Sequence, residues 1–187
     1  MSNKIYYLKS DAMNYCSFIQ DYPAGEESII ARAMGQKWKK FNNTYTNIVL
    51  ELRSNDFGKK NYQFDFSSAL SPFFVFSELG VDNLFDVLNP RGQFLDIKTA
   101  SKRKKFIGYY PTNALSKCVD KQKSLYTEHP KGLIFEKIVL IKENITDEYL
   151  FSIHENISAV FVTDKFKKLI EDTGLLGFDF SKEVELS

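Results

Sequence analysis

Two stretches of the chain follow nearly the same plan, and that repetition constrains the fold more than any other feature. SPFFVFSELGVDNLFDVLNPRGQF spans 71–94 and SAVFVTDKFKKLIEDTGLLGFDF spans 158–180. Each begins with an aromatic or β-branched run, FFVF or AVFV, that suits a buried strand. A hydroxyl residue and an acid come next. Ser77 and Thr163 suit helix N-caps, because a short side-chain oxygen can accept a free backbone N–H. Glu78 and Asp164 then fall in the first turn, where the helix dipole favours negative charge. Val81, Leu84, Phe85 and Leu88 make one helical stripe in the first copy, and Phe166, Leu169 and Ile170 make it in the second. Asn89-Pro90 stops the first helix and Gly174 the second. At one fixed offset, without gaps, Phe76 falls on Val162, Ser77 on Thr163, Glu78 on Asp164, Leu84 on Ile170 and Phe94 on Phe180. The expectation is two related strand-helix-strand units whose hydroxyl-acid pairs start helices and carry no catalysis.

The remaining segments point to an α+β fold: a mixed or antiparallel sheet with short helices. KIYYLK and NIVLELR read as strands, YQFDF as a short half-buried strand and EESIIARAMG as a short helix closed at Gly35. NDFGKKN reads as a turn, QFLDIK and GFDF as the return strands of the two units, and LIFEKIVLIK as a central strand. No linker rich in Gly, Ser or Pro interrupts the 187 residues. One domain over 1–187 is therefore expected, its units forming either two halves of one core or two lobes, 1–97 and 98–187.

Charge gives no global pull toward nucleic acid or anionic membrane, since 25 basic residues face 24 acidic ones. Aromatics, with 17 Phe and 10 Tyr, favour both sheets and protein interfaces. Cys16 and Cys118 lack metal-ligand spacing and read as reduced, inert thiols. The start of the chain has no signal-like apolar region, and no window reaches the length of a membrane span, so a cytoplasmic protein without membrane partners is expected. No phosphate loop, nucleophile elbow, HExxH or CxxC motif occurs, and no catalytic, cofactor-binding or metal-binding residue is assigned. His129 and His154, the only histidines, lie in no HExxH, CxxC or carboxylate-histidine pairing motif. The strongest local charge feature is KTASKRKKF, with Lys98, Lys102, Arg103, Lys104 and Lys105, followed by Phe106, Tyr109 and Tyr110. It is either a site for phosphates or an acidic partner, or a solvated loop between strands.

The order of these segments resembles a family of bacterial immunity proteins, the myxobacterial-type immunity domain of polymorphic toxin systems. The resemblance runs through Tyr6-Tyr7, FDFSSALSPFFVFSELGVDNLFDVL, GYYPTN, the segment Leu150 to Ile153, and GLLGFDF. Cys16 to Phe57 lies outside it. It implies a non-catalytic protein, without cofactor, that binds and neutralises a cognate secreted toxin. Trp38, Lys102, Arg103, Lys104, Lys105, Tyr109 and Tyr110 are the candidate partner-binding residues, taken as exposed. Two other readings stay open. One is an uncharacterised enzyme using His129 or His154, recognisable by a deep cleft lined by a histidine and carboxylates. The other is a nucleic-acid-binding module using the Lys102–Lys105 loop, although no nucleic-acid-binding signature supports it.

Overall fold

Short apolar runs, each bounded by turn residues, set the elements. A computed structural model describes residues 4–43, 45–55, 57–130 and 132–187; Asp56, inside the expected NDFGKKN turn, lies outside the described residues. The chain opens with β1 (Ile5–Tyr7), β2 (Lys9–Ser10), β3 (Ser17–Asp21), α1 (Ile29–Gln36) and β4 (Ile48–Arg53). The first unit follows: β5 (Phe66–Ser67), β6 (Phe74–Ser77), α2 (Glu78–Leu88), β7 (Gly92–Leu95), β8 (Ile97–Thr99) and β9 (Phe106–Pro111). Then come β10 (Ala114–Leu115), β11 (Leu125–His129), β12 (Gly132–Lys137) and β13 (Val139–Leu140). The second unit holds β14 (Leu150–Ile153), β15 (Asn156–Thr163), α3 (Asp164–Thr173), β16 (Phe178–Asp179) and β17 (Glu183–Leu186). The fold is α+β, with mixed and antiparallel sheets.

The two units share one pairing register. In the first, the strand order is β5-β6-β9-β7, and β9 lies antiparallel between the two strands that α2 connects. In the second, β14-β15-β1-β17 repeats the arrangement, with β1 antiparallel between β15 and β17. Ser77 pairs with Phe106 as Thr163 pairs with Ile5, and Phe76 pairs with Ile107 as Val162 pairs with Tyr6. Phe66 faces Phe76 as Leu150 faces Val162, and Gly92 faces Pro111 as Phe178 faces Ser10. Even the helix starts match: the Glu78 N–H donates to the Lys105 carbonyl at 2.9 Å, and the Asp164 N–H to the Lys4 carbonyl at 3.1 Å. What differs is chain order. The middle strand of the first unit follows it, whereas that of the second, β1 continuing into β2, precedes every other element.

Several boundaries differ from the sequence expectation. Helix α1 runs past Gly35 to Gln36, and Lys37 and Trp38 turn the chain with φ of 47° and 65°. Of YQFDF, only Phe66 is in a strand. QFLDIK splits: Gln93–Leu95 belongs to β7, while β8 turns away to pair in parallel with β4. LIFEKIVLIK is no central strand. Its first part is β12 of an exposed hairpin, and its second is β13 at the edge of the six-stranded sheet. GFDF returns through β16 against β2, and the ladder slips by one residue before β17 resumes it against β1.

One buried cluster draws on both units: Phe66, Phe76 and Tyr109 from the first, with Val162, Phe166 and Ile170 from the second. Phe66 stacks on Phe178, with ring centroids 4.5 Å apart and planes 5° from parallel. Gly177 makes this approach possible. At φ +95° its added Cβ would sit 2.9 Å from both the Phe64 Cβ and the Phe66 carbonyl oxygen. A second cluster, including Ile5, Phe151, Phe161 and Val184, covers the other face of the six-stranded sheet. β9, beyond position 98, pairs with both β6 and β7, before it.

Candidate interaction surfaces

Ser77 sits at the start of α2 as its sequence suggests. Its Oγ accepts the Gly80 N–H at 3.0 Å and donates to Asp65 Oδ1 at 2.7 Å. Asp65, with a side chain only 4% exposed, also takes the Lys104 ammonium at 2.8 Å and the Leu176 N–H at 3.0 Å. Lys104 donates besides to the Phe64 carbonyl at 3.1 Å. Burial works to raise the Asp65 pKa. The hydrogen bonds from Lys104, Leu176 and Ser77, with the lysine charge, overcome it and hold the carboxyl below the ordinary carboxylate range. This network ties the first helix, the basic loop and the end of the second unit together. A hydroxyl, a carboxylate and an ammonium meet here, but the hydroxyl is buried and committed to the helix start.

Thr163 departs from that pattern. It occupies the N-cap position of α3, yet its hydroxyl donates to the Glu148 carbonyl at 2.8 Å and makes no side-chain cap bond. Asp164 does the local work instead, accepting the Lys4 N–H at 2.9 Å and the Tyr6 hydroxyl at 3.1 Å. The repeat therefore preserves backbone register more faithfully than side-chain role.

The basic run divides by function. Lys104 is the partly buried anchor just described, and Lys105 pairs with Glu78 at 3.0 Å. Lys102 and Arg103 are exposed and make no ion pair among the described residues. They crest a ridge between two clefts of about 580 and 530 Å³ that share Ser101, Lys102, Arg103, Lys104 and Phe106.

The expectation that Trp38, Tyr109 and Tyr110 are exposed fails, because all three rings are buried. Their polar ends, which make such residues look at home on a surface, are satisfied inside. The Tyr109 hydroxyl donates to the Leu88 carbonyl at 2.9 Å and that of Tyr110 to the Ala33 carbonyl at 2.8 Å. Burial pushes the Tyr110 phenol up to about 12 and moves Tyr109 further in the same direction. The Trp38 indole donates to the Ile153 carbonyl at 3.2 Å, and its backbone N–H to Tyr110 at 2.9 Å. These bonds hold Trp38 in a left-handed backbone conformation that a bulky residue adopts only under strain.

His129 and His154 come together in a cleft of about 940 Å³, which Trp38, Phe135, Glu155 and Ile157 also line. Both histidines are exposed, and among the described residues neither imidazole hydrogen-bonds to a carboxylate or hydroxyl. One wall of the cleft is the β11–β12 hairpin, which among the described residues pairs with no other sheet. Its Tyr126 and Phe135 rings pack on one face at 5.5 Å, while Ile134 on the other face is 55% exposed and Leu125 is 56% exposed. Sequence reasoning missed this hairpin, although TEHPKG at its tip is a turn signal between two β-type runs.

Both cysteines are free and buried, and burial pushes the Cys118 thiol up to about 11. Among the described residues, no group of three or more His, Cys, Asp or Glu side chains is placed to hold a metal ion. No helix among them is long and apolar enough to cross a membrane. A scan of the chain against protein-family models gives no match, and a search of curated proteins gives none either.

Proposed function

We propose that this chain is a non-catalytic immunity protein that binds and neutralises a cognate secreted bacterial toxin. The observation that carries the reading is the β11–β12 hairpin. A two-stranded hairpin alone is marginally stable in water. This one leaves Leu125 and Ile134 more than half exposed, and among the described residues neither of its strands joins the ladder of another sheet. Such an element gains by being covered, and exposed large apolar groups beside a cleft are the usual material of binding anchors. The Ser77 and Thr163 hydroxyls, which a catalytic reading would draw on, are engaged in structural bonds.

Co-expression with a candidate toxin, sought first in the neighbouring reading frame, tests the reading. The chain is expected to restore growth and to co-purify with the toxin; failure of both contradicts it. The histidine cleft supports a second reading, an uncharacterised enzyme, through the shared placement of His129, His154 and Glu155. The same assay separates the two. Protection accompanied by a stable complex with the toxin favours the binding protein; protection without a complex, lost in a folded His129→Ala, His154→Ala double variant, favours the enzyme.

A further inference from the structure

We propose that the ridge at residues 100–105 docks a carboxylate-rich segment of a partner protein, an inference that rests on the reading of this chain as a partner-binding protein. Four cations face the two clefts or crest the ridge without an ion-pair partner among the described residues: Lys60, Lys98, Lys102 and Arg103. Of the nearby carboxylates, Asp65 is engaged by Lys104 and Glu78 by Lys105, while Asp96 and Asp82 act on Lys105 without an ion pair among the described residues. The ridge thus presents an excess of positive charge on a chain whose net charge is only +1.

The ridge is also built. The Ser101 N–H donates to Thr99 Oγ1 at 3.3 Å, and the Lys104 N–H to Ser101 Oγ at 3.3 Å. The Lys104 side chain reaches into the core to hold Asp65. Two anchored lysines therefore hold out two free cations. That arrangement lowers the ordering cost of binding relative to a mobile loop. Arg103 offers the planar fork that matches a carboxylate, and Lys102 a point charge.

The lining chemistry favours a polypeptide over a single-stranded nucleic acid. Asn61, Gln63 and Ser101 supply further hydrogen-bonding groups. A nucleic-acid groove presents successive exposed rings for base stacking. Here Tyr62, at 38% exposure, is the one lining ring open to solvent, because Phe106 is buried.

The test titrates the full chain with a fluorescent peptide of alternating Asp and Ser, and in parallel with an oligothymidylate. The peptide should bind saturably and weaken with salt. Lys102→Glu with Arg103→Glu should lose about tenfold or more in affinity, as expected when a docking charge pair is reversed. A matched reversal of another exposed basic pair, Lys39→Glu with Lys40→Glu, should leave binding within about twofold of the original. Absence of saturable peptide binding, an equal loss in the matched control, or tighter binding of the oligothymidylate would each overturn the proposal. The growth assay keeps the two ideas apart. If the Lys102 and Arg103 reversal protects fully against the toxin, only the ridge proposal falls. If the original chain binds the acidic peptide but never protects, the immunity reading falls.

Discussion

Ser77 and Thr163 hold equivalent positions in one ladder but do different work. Ser77→Ala would remove the bond to the Gly80 N–H and one of the donors that keep Asp65 ionised. A loss of about 2 kcal/mol is expected. Thr163→Ala would remove a single bond to the Glu148 carbonyl, and about 1 kcal/mol or less should go with it. Urea unfolding of both variants checks the ranking, and equal losses or the reverse order would contradict the assignment. Asp65 sets the acid response. Its folded pKa lies below the ordinary value, so its contribution is fully present above about pH 4 and fades as pH falls through the folded value. Asp65→Asn should cost about 3 kcal/mol at neutral pH, the low end for breaking a buried pair because Lys104 keeps some access to water. The gap between variant and original should shrink steadily in unfolding curves taken below pH 4. A gap that stays constant into acid would show that the carboxylate charge plays no part.

Elements were legible wherever their signal was local. Val81, Leu84 and Leu88 of the first stripe and Phe166 and Ile170 of the second are buried where their spacing places them, while Leu169 is half-buried and Phe85 turns outward, to stack on Phe94. Gly174 ends α3 in the left-handed conformation, as expected of a glycine past the last turn. What stayed hidden was non-local. Nothing within KIYYLK announces that β1 slots between β15 and β17, and nothing in FIGYYP announces the same for β9. The candidate site suffered most from this. Lys102 through Lys105 are four neighbours in sequence, yet the third is drawn into the core by a carboxylate 39 positions away. Trp38, Tyr109 and Tyr110 were misplaced for the same reason, since the carbonyls that satisfy them lie on Ile153, Leu88 and Ala33. The hairpin was misread because LIFEKIVLIK is apolar enough for an interior strand, and its break between Lys137 and Val139 is set by pairing with two different neighbours.

At the scale of the whole molecule, two units of equal register close around shared aromatic packing, with Phe66 of one stacked on Phe178 of the other. The polar groups that the repeat brings to its helix starts are spent on holding that arrangement. The surface left for function is the β11–β12 hairpin with its cleft, and the anchored basic ridge. Amide hydrogen exchange of the chain, alone and with the toxin proposed as its partner, tests this most directly. The expected result is new protection across Leu125–Lys137, with the helices α2 and α3 unchanged; exchange in the hairpin that is the same with and without bound toxin would contradict it.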